Sequence, residues 1–133
     1  MPVELEMVLR LLAATVLGAA IGYQRERAGK PAGLRTHILI CIGAALFTVA
    51  SLYGFGATAD PARIAAGIVA GIGFLGAGAI IRRDEGLVAG LTTATTIWAV
   101  AAIGLAVGAG LYLVSAVATA LILIVLYLPH PIR

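Results

Sequence analysis

Three stretches of this chain contain no Asp, Glu, Lys or Arg: Thr36 to Ala59, Ile64 to Ile81 and Gly86 to Ile132. A run of about 18 or more apolar residues is long enough to cross a hydrocarbon core roughly 30 Å thick. A soluble domain spreads about 25% charged residues over its surface, whereas this chain carries 11% and has a mean hydropathy of +1.09. Neither a water-soluble globule nor a disordered chain, which needs low hydrophobicity and high net charge, fits that pattern. The chain reads as a polytopic membrane protein.

The apolar periodicity predicts an all-α membrane bundle of five transmembrane helices in a single membrane domain, at about 5–24, 36–55, 62–81, 90–108 and 110–128. The last charge-free run is too long for one crossing, and the Gly-rich stretch from Gly104 to Gly110 offers it a place to turn. Glu4 and Glu6 open the chain and Arg10 interrupts the first apolar run, which is not the basic start of a secretory signal. Cys41 is the single cysteine, so no disulfide framework is available.

Five crossings put the termini on opposite sides. Arg25, Arg27, Lys30, Arg35, Arg82, Arg83 and Arg133 fall on one side, against Arg10 and Arg63 on the other. Loops rich in Lys and Arg stay cytoplasmic, so the N-terminus is expected outside and the C-terminus inside. The net charge of +3 is thus assigned to orientation, and no nucleic-acid partner is expected.

Shifting the chain by 57 residues lays 25–45 on 82–102 with nine identities in 21 positions, including Arg25/Arg82, Gly33/Gly90, Leu34/Leu91 and Thr36/Thr93. With one residue of gap, Leu17-Gly18-Ala19 also matches Leu75-Gly76-Ala77. Spans 1–2 and 3–4 therefore read as a parallel internal repeat, a geometry that some transporters share, with span 5 as a peripheral addition. In span 3, Ile64, Ile68, Ile72 and Leu75 form a bulky stripe expected to face lipid or a partner. Gly67, Gly71, Gly73, Gly76 and Gly78, with Ala70 and Ala77, are expected to serve close helix packing, as small residues do where lipid removes the hydrophobic drive. Gly18/Gly22 and Gly104/Gly108 repeat the same spacing.

Few residues are left for chemistry. In the first loop, Arg25, Glu26, Arg35 and Thr36 are candidates for ion or ligand binding. Thr36 is expected to cap span 2, and Thr92 and Thr93 are expected to do the same for span 4. Two helix N-termini at one face suit a carboxylate or phosphate, with Glu26, Asp84 and Glu85 as internal partners or oxygen ligands for a hydrated divalent ion. Topology and contact with anionic lipid would also account for a basic loop. Asp60 and Arg63 open span 3, where an Asp N-cap followed by Pro61 is an ordinary helix start. Arg63 is less ordinary there, and Glu4, Glu6, Arg10, Asp60 and Arg63 could form an outer cluster that a cation would meet first. Thr92, Thr95 and Thr96 share a helix face, as a hydroxyl-lined passage or as side chains bonded back to their own backbone. His37 reads as interfacial. No nucleophile–base set or nucleotide-binding loop appears, so no enzymatic activity and no resident cofactor are expected.

Three segments carry a resemblance. RERAGKPAGLRTHILICIGAALF (25–47), DPARIAAGIVAGIGFLGAGAIIR (60–82) and GLTTATTIWAVAAIG (90–104) resemble the MgtC/SapB family of bacterial inner-membrane proteins. The resemblance implies a link to growth under low magnesium and, in some members, to survival inside host cells. Two functions are implied: Mg²⁺ transport or magnesium homeostasis, and regulation of another membrane complex such as an ATPase. The partners implied are the lipid bilayer and a second copy or another membrane protein. Positions matching the family motif are Arg25, Glu26, Lys30, Pro31, Gly33, Leu34, Arg35, Thr36 and His37 in the first loop. Asp60, Arg63, Gly71, Gly73, Phe74, Leu75, Gly76 and Gly78 match in span 3, as do Gly90, Leu91, Thr92, Thr93 and Trp98 in span 4. Gly67 and Ala70 stand where the family commonly has Gln and Ser, which takes polar side chains out of span 3. The sequence ends after span 5, without the soluble C-terminal domain of longer members, so regulation through that domain is not expected.

Overall fold

Helix α1 (Val3–Arg27) runs antiparallel to α2 (Leu34–Tyr53), and α4 (Leu91–Gly108) lies against both, parallel to α2. These relations come from a computed structural model that describes residues 2–82 and 88–128. Helix α3 (Pro61–Gly78) packs mainly on α4, and α5 (Tyr112–Leu126) on α1 and α4. Helices α1 to α4 are long and apolar enough to cross a membrane, while α5 has 15 residues.

Glycine is what lets α2 sit between its neighbours. Cβ atoms placed at Gly18 and Gly22 of α1 would lie 2.8 Å from Cys41 Cβ and 2.9 Å from Leu34 Cα. On the other side, a Cβ on Gly104 would collide with the Cys41 carbonyl, and one on Gly108 would stand 2.7 Å from the Ala45 carbonyl. Backbones in such contact gain their dispersion energy without any hydrophobic drive. Around these contacts Ala14, Ile21, Cys41, Ala45, Val100, Ile103 and Val107 form the buried centre.

Helix α3 corrects the expectation about its faces. Ile64 and Ile68 are half-buried and Ile72 is buried, in a cluster with Ala44, Ile97 and Ala101, so most of the bulky stripe faces inward; only Leu75 is exposed. Side chains at Gly67, Gly71, Gly73 and Gly78 would meet nothing within 4 Å, and of the five glycines only Gly76 approaches a neighbour, the Ala94 carbonyl of α4 at 3.5 Å. The reason is volume: the branched side chains of α3 meet Ala44 and Ala101, whose small side chains leave room for them, and the small residues of α3 are left outward.

The end of α3 also differs. Helix α3 stops at Gly78, and Ile81–Arg82 pairs antiparallel with Val88–Ala89 in a short ladder that the helical periodicity does not signal. Gly90 follows with φ +87° and serves as the N-cap of α4, close under the Ala79 carbonyl. Helix α4 ends at Gly108 as expected, with Gly104 and Gly108 as packing residues, and the turn into α5 falls at Gly110 (φ +90°). Arg83, Asp84, Glu85 and Arg133 lie outside the described residues.

Candidate functional site

The end of the bundle that holds the α1–α2 connection gathers most of the predicted polar residues. Helix α1 ends as Lys30 N–H donates to the Arg25 carbonyl at 3.1 Å and Gly29 N–H to the Glu26 carbonyl at 3.1 Å. The chain thus reverses beside Glu26, whose Oε1 accepts from Leu34 N–H at 3.0 Å. Glu26 thereby places a carboxylate on the positive end of α2. A side chain at Gly33 would collide with that carboxylate, which explains the glycine. Thr36 does not cap α2: it is the third helical residue, exposed, and lines a shallow groove with Pro31, Ala32 and the C-terminal half of α3. Arg35 is exposed beside it.

Inside this end, three helices share a polar cluster. Arg25 is only 3% exposed, and its Nη2 donates to Thr93 Oγ1 at 3.0 Å. His37 is fully buried, with Nδ1 2.9 Å from the Gly33 carbonyl and Nε2 3.0 Å from Thr96 Oγ1. A carbonyl only accepts, so Nδ1 carries a proton. Thr96 Oγ1 also lies 2.9 Å from the Thr93 carbonyl. In the neutral imidazole its single hydroxyl proton has two acceptors to choose between. Arg25 Nε and Gln24 Oε1 are buried with no partner among the described residues. Such groups are costly, since an unpaired buried polar atom loses about 1–3 kcal/mol of solvation.

The sequence singles out Arg25, Glu26 and Thr93 separately, as candidates for a ligand; the structure brings Arg25 to Thr93 and Glu26 to the start of α2, and it adds His37, read as interfacial, and Thr96 to the buried cluster. The only available signal for them is polarity at a helix start, because a contact across 59 positions leaves no local trace. Thr92, Thr95 and Thr96 do not form one lining: Thr95 is exposed and donates to the Thr92 carbonyl at 2.7 Å, while Thr93 and Thr96 are buried.

The opposite end holds a second cluster, which keeps Glu6 and Arg10 of the expected set and adds Tyr53 and Tyr112. Arg10 Nε pairs with Glu6 Oε2 at 3.0 Å, Nη1 donates to the Gly108 carbonyl at 2.9 Å, and the guanidinium stands 5.2 Å from the Tyr53 ring centre. Tyr112 O–H donates to the same Glu6 oxygen at 3.0 Å. Asp60 and Arg63 take no part. Asp60 Oδ1 accepts from Ala62 N–H at 3.0 Å as the N-cap of α3, and Arg63 is exposed on the first turn. The local N-cap geometry, ready-made at Asp60-Pro61, commits the carboxylate to its own helix. Among the described residues no group of three or more His, Cys, Asp or Glu could hold a metal ion.

The chain is 46% identical to the protein named "Putative magnesium transporter YhiD" of Escherichia coli K12 over 94% of its length, and covers 61% of that protein. It is 37% identical to Protein SapB of Bacillus subtilis 168 over 98% of its length, covering 60% of it. It is 48% identical to Protein MgtC of Brucella abortus 2308 over 92% of its length, covering 50% of it. The chain therefore spans about half to three-fifths of these relatives. No solved structure matches it. The MgtC family pattern is met from residue 11 to residue 133, and with relatives this similar the chain belongs to the MgtC family.

Proposed function

We propose that the chain is a magnesium-linked, non-enzymatic protein of the bacterial inner membrane that works by binding another membrane protein through α3. The observation carrying this reading is the outward small face of α3. Gly67, Gly71 and Gly78 present bare backbone, Phe74 is 82% exposed, and the groove beside Thr36 continues that surface. Bare backbone in a membrane helix is the surface on which another helix packs most closely. The names of the YhiD and MgtC relatives support the link to magnesium. Three of the four described carboxylates, Glu6, Glu26 and Asp60, are each occupied by structural hydrogen bonds, which suits this reading better than an ion pathway.

In this reading the N-terminus is outside and the C-terminus cytoplasmic, on the bias of Lys and Arg between the two sides. Spans 1–2 and 3–4 are parallel repeats. Two things support that: α2 and α4 begin at Leu34 and Leu91, positions 57 apart, and glycine contacts recur at matching places. Gly18 of α1 faces the His37 carbonyl and Gly76 of α3 faces the Ala94 carbonyl.

Photo-crosslinking groups at Gly71 and Gly78, with Leu113 on α5 as control, test the reading in native membranes. A reproducible protein partner captured from α3 alone is expected. Capture of lipid or of the chain's own copies only would sink it. A second reading, Mg²⁺ transport, is favoured by the name of the YhiD relative. It requires Mg²⁺ flux or binding by the purified chain in liposomes. Absence of both, with wild type indistinguishable from Asp60→Ala, ends that reading.

A further inference from the structure

The two helix N-termini at the Arg25 end are treated differently. Helix α2 has the Glu26 carboxylate on its first N–H. Helix α4 has none among the described residues: its N-cap is Gly90, no described side chain caps it, and the first backbone bond runs from Ala94 N–H to the Gly90 carbonyl at 2.8 Å. The residue matching Glu26 after the 57-residue shift is Arg83, a charge of the opposite sign. Behind this uncapped turn stands Arg25, more than nine-tenths buried. It touches the turn through Thr93 Oγ1 and has an Nε without a partner among the described residues. A buried guanidinium with no carboxylate partner among the described residues is unfavourable, and so is a helix N-terminus that no described side chain caps. One anion would relieve both.

We propose that the N-terminal turn of α4, backed by Arg25, binds a phosphate oxyanion, supplied by an anionic lipid headgroup or by free phosphate. The match is chemical: backbone N–H groups at a helix N-terminus and a guanidinium fork are the two groups best shaped for phosphate oxygens. The Thr93 hydroxyl, which now accepts from Arg25, orients the guanidinium toward the turn. The turn lies at one end of an apolar helix long enough to cross a membrane, and the ends of such helices lie at headgroup level. This proposal does not depend on the docking role of α3.

The test uses the 133-residue chain purified in a neutral detergent. Its thermal midpoint is followed against sodium phosphate at constant ionic strength set with chloride, and separately against added phosphatidylglycerol. Native mass spectrometry counts what stays bound. A saturable rise in midpoint with either ligand, absent in Arg25→Gln and weakened about tenfold in Arg25→Lys, which keeps charge but loses the fork, is the expected result. A response to phosphate identifies the free ion, and a response to phosphatidylglycerol alone identifies the headgroup. If Arg25→Gln fails to fold, Thr93→Val and Arg25→Lys provide the same comparison. No saturable response to either ligand overturns the proposal. So does an equal response in the Arg25 variants, or an acidic segment of a partner protein occupying the turn instead.

Discussion

Arg10 on the second turn of α1 donates through Nη1 to the carbonyl oxygen of Gly108, the last residue of α4, at 2.9 Å. A charge that interrupts an apolar run thus closes the negative end of another helix. The same guanidinium holds Glu6 and stacks near Tyr53, and Glu6 holds Tyr112, so four helices are fastened at one end. Arg10→Ala leaves the Gly108 carbonyl and the Glu6 carboxylate without this donor. A charge-assisted bond contributes about 1.5–3 kcal/mol, so a loss of about 2 kcal/mol is expected in reversible unfolding in detergent, with Glu6→Gln milder. An unchanged midpoint for Arg10→Ala would mean that the cluster is ornamental to the fold.

The glycine contacts separate two kinds of position that look alike in the sequence. Gly104→Ala drives a methyl into the Cys41 carbonyl, whereas Gly71→Ala points one into open space. Overpacking a tight contact costs about 1–3 kcal/mol. Gly104→Ala is therefore expected to lower stability by that order and Gly71→Ala to leave it unchanged. Equal effects would contradict the arrangement of α4 on α2.

The face of α3 can be checked through its larger residues. Ile72 is buried against Ala44, Ile97 and Ala101, while Leu75 is exposed. Removing a buried branched side chain costs about 2–5 kcal/mol, so Ile72→Ala should lower the unfolding midpoint clearly and Leu75→Ala should not. The reverse order would restore the outward orientation that the spacing of the isoleucines suggests.

Comparing these positions shows how far the sequence reaches. Charge-free runs and helix-start signals locate the helices to within a few residues, because hydropathy and capping act over one or two turns. Which side of α3 faces inward is not legible, since a stripe of Ile and a stripe of Gly both suit a membrane helix, and the choice depends on the room that Ala44 of α2 and Ala101 of α4 leave beside it. Asp60 illustrates the same limit from the other direction: its spacing to Pro61 and Ala62 already specifies a cap, and the cluster imagined with Glu6 and Arg10 needed distances that no local pattern contains. Arg25 and Thr93 are visible as polar residues beside helix ends. Their contact with one another depends on α1 crossing α4, and so does the burial of His37 against Thr96.

Glu26 and Gly33 form a unit whose failure should be local. Gly33→Ala places a methyl where the Glu26 carboxylate sits, which displaces the acceptor from Leu34 N–H. Faster hydrogen exchange at the Leu34 amide is expected, with the amides of α4 unaffected. Glu26→Gln keeps an oxygen acceptor while removing the charge, so exchange at Leu34 should fall between wild type and Gly33→Ala. Protection unchanged in Gly33→Ala would show that some other group caps α2.

His37 offers the most exacting check on the buried cluster. Its Nδ1 faces a carbonyl oxygen, so in the neutral ring the proton belongs on Nδ1 and Nε2 is the acceptor. Thr96 must then turn its hydroxyl toward Nε2 and give up the Thr93 carbonyl, unless the ring takes a second proton and donates to Thr96 instead. Nitrogen chemical shifts of labelled His37 distinguish these forms. The neutral ring should appear as the Nδ1–H tautomer, and Thr96→Val should leave Nδ1 protonated while changing Nε2, which loses its only hydrogen-bond partner among the described residues. An Nε2–H neutral tautomer would contradict the contact of Nδ1 with the Gly33 carbonyl, and with it the ring orientation that brings Nε2 to Thr96.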